Sequence, residues 1–415
     1  MDKIIINGGK PLNGEVTLSG AKNSVLPVMA ASLLVDGVTH ISNVPDLQDT
    51  RTMIKLLEMI GATVQFNCGE LTIDGGSVHT PVAPYNLVKT MRASFYVLGP
   101  LLARFQEAKV SLPGGCAWGP RPVNYHLKGL ELLGAEVVLE GGYISAKAKR
   151  LIGNHIRFDF PSVGATGNMV MASATAEGTT VIENAACEPE ITQLCQFINS
   201  MGGNISGIGT KKLSINGVSK LSPCDISIIP DRIEAGTFLI AGAALGEVKI
   251  LGCEPKHLKA LLEKLKLAGA NITISGNEIT IIKADKILPV PVTTGVFPGY
   301  PTDLQAQWVA LMTIANGDSI VTDTVYLDRF SHIPELNRLG AEIRLLENEA
   351  YITGNKKLVG AQVMSTDIRA SASLIIGGLL AEGTSEISRV YHIDRGYEKI
   401  EKKFRSLGAD ITRVN

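Results

Sequence analysis

The chain has 415 residues, with 39 Lys and Arg against 40 Asp and Glu, and 45% apolar and 5% aromatic side chains. One hydrophobic core stops growing near ~250–300 residues, so at least two domains are expected. A net charge of −1 argues against nucleic-acid and anionic-membrane partners, which need a clustered cationic surface.

From the N-terminus, Met1 to Gly9 holds no basic region followed by an apolar stretch and does not read as a signal peptide. Apolar runs such as Phe95 to Ala103 are broken by Gly or Pro and fall short of the ~20 residues of a membrane helix. Six cysteines (Cys68, Cys116, Cys187, Cys195, Cys224 and Cys253) form no C-x-x-C pair. That pattern argues against a disulfide framework or zinc ribbon and for free thiols, so a soluble cytoplasmic protein without a metal is expected. Apart from Cys116, these cysteines read as small buried hydrophobes.

An internal repeat dominates the sequence. A Gly-Ala or Gly-Gly step closes a helix-like apolar pattern at Gly61, Gly134, Gly202, Gly269, Gly340 and Gly408, at intervals of 73, 68, 67, 71 and 68 residues. A second glycine precedes five of these steps by 23 to 25 residues: Gly37, Gly178, Gly246, Gly317 and Gly383. Each follows an Ala-rich stretch and leads into a β-branched one, the pattern of a helix ended by a left-handed glycine and followed by a strand. The second unit has Gln106-Glu107-Ala108 instead. Each unit therefore reads helix, glycine, strand, second helix, Gly-Ala turn and strand pair. Stretches such as Ala235–Ala244 and Ala370–Ala381 are small and apolar on every side, as wholly buried helices are. Three units per domain, helices inside and sheets outside, is the economical packing.

The first helix of each unit begins with small residues beside a polar group: Ser19 to Lys22, Met91 to Ser94, Ser162 to Ala165, Glu234 to Thr237, Thr302 to Gln305 and Asp367 to Ala370. If these helices run parallel, their positive ends converge and favour anions, notably phosphates, in a cleft between two domains. Lys22 with Asn23, Arg92, Arg121, Arg329, Arg369 and Arg395 form a basic set near these helix starts. Asp303 is an N-cap candidate in the fifth unit and Asp367 in the sixth; in a dry site such a carboxylate accepts a hydroxyl proton. Residues 111–122 hold three Gly, three Pro, Cys116 and Arg121, and read as a loop or lid whose arginine favours the thiolate. His126 reads equally as a ligand or a half-buried ring. No P-loop, G-x-S-x-G or H-E-x-x-H pattern is present.

Five segments, Ser19–Asn23, Lys89–Ser94, Leu112–Cys116, Gly119–Val123 and Asp367–Ser371, together with Tyr391–Tyr397, resemble the UDP-N-acetylglucosamine enolpyruvyl transferases of the EPSP synthase family. The resemblance spans residues 1–415. It implies an α/β fold: a two-domain inside-out α/β barrel of six βαβαββ-like repeats. One domain would comprise 1–20 with 230–415 and face phosphoenolpyruvate; the other, 21–229, would carry the lid. It implies transfer of the enolpyruvyl group of phosphoenolpyruvate to the 3′-hydroxyl of UDP-N-acetylglucosamine in peptidoglycan precursor synthesis. No cofactor and no obligate protein partner are implied; the partners are these two small-molecule substrates.

Carried over residue by residue, the resemblance makes Cys116 the lid thiol that protonates the methylene carbon, holds a phospholactoyl adduct and is alkylated by fosfomycin. Lys22, Arg121 and Arg395, with Asn23 beside them, would hold the phosphate and carboxylate of phosphoenolpyruvate, and Arg329 and Arg369 would face it too. Asp303 would bind the sugar and accept its 3′-hydroxyl proton. Arg92, Arg121, Pro122, Val123, Asn124, Tyr125, Ser162, Val163, Gly164 and Val325 match nucleotide-sugar positions. Phe160-Pro161 stands where some members carry a lysine, Asn124-Tyr125 replaces an Asp-Leu pair, and Trp118 is large for a lid tip. The alternatives are 5-enolpyruvylshikimate-3-phosphate synthase, which lacks such a thiol loop, and a non-catalytic paralogue that binds the nucleotide sugar.

Overall fold

The first repeat shows how the sequence builds its unit. In this computed structural model, which describes residues 2–88, 91–112 and 123–414 except the Arg92 side chain, the first inner helix α1 spans Lys22–Ala31. It is buried from Ser24 to Ala31 because it has no polar face to expose. The strand Val38–Ser42 follows, and then the helix Gln48–Ile60. That second helix buries Met53, Leu56, Leu57 and Ile60, a three-and-four spacing that makes one apolar face. Gly61 ends it at φ +106, with the Gly61 N–H on the Glu58 carbonyl and the Ala62 N–H on that of Leu57. This is a Schellman motif, and only a residue tolerant of positive φ closes it without strain. The hairpin Thr63–Asn67 and Glu70–Asp74 completes the unit.

All six Gly-Ala or Gly-Gly steps are the same device: Gly61, Gly134, Gly202, Gly269, Gly340 and Gly408 lie between φ +89 and +106, with the paired bonds repeated each time. The second landmark is less uniform. Gly37, Gly178, Gly317 and Gly383 have positive φ, and Gln106 takes the left-handed position in the second unit at φ +64. Gly246 departs from the sequence reading, being extended at φ 168. It is needed for close approach instead, since a Cβ there would sit 1.8 Å from the Leu12 carbonyl oxygen of the neighbouring strand.

The remaining inner helices are α2 (Leu98–Phe105), α3 (Val163–Ser173), α4 (Arg232–Leu245), α5 (Gln305–Met312) and α6 (Ile368–Leu380). Among the described residues, six four-stranded sheets lie outside them. In each, a leading strand pairs in parallel with the strand after an inner helix; in four sheets the two are joined through that helix as a βαβ crossover, and in the sheets of Val38–Ser42 and Gly246–Leu251 the leading strands are exchanged. The chain divides into two compact units, Met1–Ser19 with Pro230–Asn415 and Gly20–Ile229, each with its own core. Strand pairing explains the discontinuity. Leu12–Thr17 leads the sheet of Gly246–Leu251, and Lys3–Asn7 sits between Thr384–Ser388 and Asp410–Val414. Ile226–Ser227 leads the sheet of Val38–Ser42 within the other unit.

Among the described residues, no helix is long and apolar enough to cross a membrane. The cysteines differ from expectation in part: Cys195 and Cys253 are buried, Cys187 and Cys224 are half-buried, and Cys68 is exposed. Cys68 occupies a left-handed hairpin turn, φ +47, where no core is in reach.

Candidate active site

In the discontinuous unit, the three inner helices bring residues of their first two turns to one tyrosine. The buried Tyr397 hydroxyl donates to Thr237 Oγ1 of α4 (2.8 Å), whose own proton goes to the Ile233 carbonyl. It accepts from Gln307 Nε2 of α5 (3.3 Å) and lies 3.5 Å from Arg369 Nη1 of α6. Burial pushes the Tyr397 pKa up, so it remains a neutral donor. The first turns of α5 and α6 meet there and add their positive ends.

Asp303 stands at that place, and it is not the N-cap its sequence context suggests. Residues 302–304 form a 3-10 turn whose capping position is Pro301, with no side-chain cap. The Asp303 carboxylate is instead bracketed by guanidiniums, with Arg329 Nη1 2.7 Å from Oδ1 and Arg369 Nη2 2.6 Å from Oδ2. Burial opposes the Arg369 charge, but Asp303 outweighs it and holds that guanidinium charged. Arg329 also donates to Thr302 Oγ1 (3.1 Å), and its guanidinium carbon lies 4.9 Å from the Tyr326 ring centroid. Two guanidiniums closing on one carboxylate make a bidentate carboxylate subsite, filled here by a side chain of the protein.

Asp367 is the N-cap expected of it, its Oδ1 accepting from the Arg369 and Ala370 N–H groups at 2.8 and 3.1 Å. Arg395 ends the 3-10 turn Val390–Arg395 and is half-buried. A Cβ on the next residue, Gly396, would stand 2.7 Å from Ile368 Cγ2 at the start of α6, so the end of the Arg395 turn lies close against that helix. Val325 is half-buried and its N–H bonds Asp323 Oδ1 at 2.9 Å.

In the other unit, Lys22 opens α1 and pairs with the buried Asp49 (3.2 Å), with Asn23 next to it. Ser162 caps α3 by accepting from the Ala165 N–H (3.3 Å), and Val163 and Gly164 form its first turn. Val123, Asn124 and Tyr125 begin the helix Asn124–Leu132, and Tyr125 meets Phe158 edge-on at 5.8 Å. His126 joins these two groups. Its ring lies within 3.3 Å of where a Gly164 Cβ would stand, which a side chain there would crowd. Of its two readings the ring is nearer, and it is buried further than half, with Nδ1 3.0 Å from the Asn168 amide nitrogen. Burial pushes its pKa down to about 3. The neutral ring accepts at Nδ1 and so carries its proton on Nε2, beside the start of α3. Cys116, Trp118, Arg121 and Pro122 lie outside the described residues, as does the Arg92 side chain.

Four groups that hold these residues went unnoticed in the sequence: Asp49, Asn168, Gln307 and Asp323. Their bonds to Lys22, Gly99, Thr237, Thr294 and Thr302 span 21 to 70 residues, and the local bonds that Asp323 and Gln307 also make do not point to those distant partners.

The chain matches the EPSP synthase (3-phosphoshikimate 1-carboxyvinyltransferase) family over residues 6–404. It is 52% identical over 415 residues, all of both chains, to a UDP-N-acetylglucosamine 1-carboxyvinyltransferase of Desulfosudis oleivorans. It is 55% identical to that of Chloroherpeton thalassium, covering all of this chain and 97% of the relative. Among solved structures, the enolpyruvyl transferase NikO from Streptomyces tendae superposes with a TM-score of 0.91 at 25% identity, covering 100% of this chain and 99% of that one. An EPSP synthase from Acinetobacter baumannii shares the fold at 20% identity, with a TM-score of 0.76 and both chains covered in full. With such similarity along its whole length, the chain belongs to the EPSP synthase family of carboxyvinyltransferases, together with the UDP-N-acetylglucosamine 1-carboxyvinyltransferases it matches.

Proposed function

We propose that this chain transfers the enolpyruvyl group of phosphoenolpyruvate to the 3′-hydroxyl of UDP-N-acetylglucosamine and releases phosphate, the committed step toward peptidoglycan precursors. The reading rests on full-length relatives of that name at 52–55% identity. The observation that carries it is the Asp303 carboxylate bracketed by Arg329 and Arg369. The carboxylate of phosphoenolpyruvate fits the same pair of guanidiniums. Once the substrate takes them, Asp303 is freed to accept a proton.

The step then runs as addition and elimination. The 3′-oxygen bonds to C2 of phosphoenolpyruvate, its proton passes to Asp303, and a proton from the Cys116 thiol goes to C3. A C3 proton then returns to the Cys116 thiolate as the C2–O bond to phosphate breaks and the double bond re-forms, and the proton held by Asp303 leaves with the phosphate. Lys22, Arg121 and Arg395, with Asn23 beside them, hold the phosphate and share the carboxylate with Arg329 and Arg369; Arg92, Arg121, Pro122, Val123, Asn124, Tyr125, Ser162, Val163, Gly164 and Val325 hold the nucleotide sugar, with Asp303 at its 3′-hydroxyl. No cofactor enters the chemistry, which proceeds in the cytoplasm without a protein partner.

The test is phosphate release from phosphoenolpyruvate with UDP-N-acetylglucosamine, run in parallel with shikimate 3-phosphate. Release with the nucleotide sugar alone is the expected result; release only with shikimate 3-phosphate assigns the EPSP synthase reaction instead. No release with either leaves the non-catalytic nucleotide-sugar binder. Fosfomycin should add once by intact mass, and the adduct should vanish in Cys116→Ser. An adduct persisting in that variant refutes the assignment of the thiol.

A further inference from the structure

We infer that Asp323 is a positioning residue for the reaction, its buried carboxylate holding Thr302 and, through it, the Arg329–Asp303 pair; this rests on the function proposed above. Asp323 is fully buried directly after the strand Ser319–Thr322. Its backbone is pinned on both sides, the N–H to the Asn348 carbonyl (3.0 Å) and the carbonyl to Asn348 Nδ2 (2.9 Å). A carboxylate so placed is costly unless every lone pair is used.

Each neighbour is a donor, and chemistry fixes the direction of every bond. Oδ1 accepts from the N–H groups of Val325 (2.9 Å) and Tyr326 (2.8 Å), which can only donate. It also accepts from Thr294 Oγ1 (2.7 Å), whose own acceptor side takes the Thr324 N–H. Oδ2 accepts from Thr302 Oγ1 at 2.6 Å. That hydroxyl must donate inward, because its outward side receives Arg329 Nη1 at 3.1 Å, and a guanidinium never accepts. The same Nη1 donates to Asp303 Oδ1. The four groups form one directed chain: carboxylate, hydroxyl, guanidinium, carboxylate. Burial pushes the Asp323 pKa up, and the Thr302, Thr294 and Val325 donors with the Arg329 charge oppose it.

The two oxygens thus divide the work. Oδ1 closes the 323–326 turn, which is structural. Oδ2 reaches the reacting groups. When substrate draws Arg329 from Asp303, the Thr302 contact keeps the guanidinium in register, and misplacement on the 1 Å scale costs ~10²-fold in rate.

Asp323→Asn separates these roles, since an amide keeps its oxygen at the Oδ1 site and sets an NH2 against Thr302. The expected result is turnover reduced ~10–100-fold with a raised KM for phosphoenolpyruvate. The melting temperature should fall by no more than about 5 °C. Thr302→Val should reproduce that split and Thr302→Ser, which keeps the hydroxyl, should retain most activity. The double variant Asp323→Asn/Thr302→Val should be no worse than the poorer single. Wild-type phosphate release is measured first: its absence sinks the function proposed above together with this inference. With an active wild type, normal turnover in Asp323→Asn overturns the inference alone. So does loss that multiplies in the double variant or merely follows melting temperature.

Discussion

Arg369 donates from Nη2 to Asp303 Oδ2 across 2.6 Å, from a side chain 7% exposed to one 20% exposed. Arg329 holds the other oxygen, so Asp303 links an element 66 residues downstream to one 26 residues away. The sequence context suggests a cap, for which Asn would be an equal substitute. The structure reverses the expectation for stability. Asp303→Asn leaves two guanidiniums without their anion, and removing one partner of a buried pair costs on the order of 3 kcal/mol. Turnover should fall by orders of magnitude, while phosphoenolpyruvate binding persists or tightens because the competing carboxylate is gone. Calorimetric titration and chemical denaturation read these separately; unchanged stability would contradict the pairing.

Asn168 carries a second cluster. Its Nδ2 donates to the Phe95 carbonyl (3.1 Å) and lies 3.0 Å from His126 Nδ1, and its Oδ1 accepts the Gly99 N–H (2.8 Å). Asn168→Leu strands three buried polar groups, each worth ~1–3 kcal/mol when left unsatisfied. The variant should lose several kcal/mol in urea denaturation, and a loss below about 1 kcal/mol would show that the groups find other partners.

Stability should fall on mild acidification. Burial lowers the His126 pKa to about 3, and burial lowers that of His332 to about 4, with Asp367 opposing and Arg329 assisting. Both lie below the unfolded value of ~6.5, so the unfolded chain takes the proton first. Their neutral-state stability is complete above pH ~6.5 and is lost toward the folded values, at up to ~1.4 kcal/mol per pH unit for each histidine. Urea midpoints at pH 7 and pH 5 test this. His126→Gln should lose less between the two than wild type.

Lys22 and Asp49 make the fourth prediction. Asp49 is 2% exposed and lies 3.2 Å from the Lys22 ammonium. Asp49→Asn keeps the shape and removes the charge that orients the lysine. The KM for phosphoenolpyruvate should rise ~10-fold, with the nucleotide-sugar KM little changed. An equal rise in both would point to general loosening of the unit instead.

What the sequence determined by itself is local. A Gly-Ala step needs positive φ and an N–H reaching back five residues, so all six Schellman turns, and with them the six repeats, were legible. Asp367 was legible as a cap because its partners are two and three residues on. Gly246 was misread because its constraint comes from the strand that carries Leu12, far away in the chain. The cap reading of Asp303 failed for the same reason, its partners being supplied by other elements. Tertiary structure decided those pairings, and also which buried polar groups hold the candidate residues within each unit, Asp49 and Asn168 in one and Asp323 in the other. A carboxylate or amide is ionised, neutral, capping or bracketed according to the donors folding brings to it, and those donors leave no periodicity for a linear reading to find.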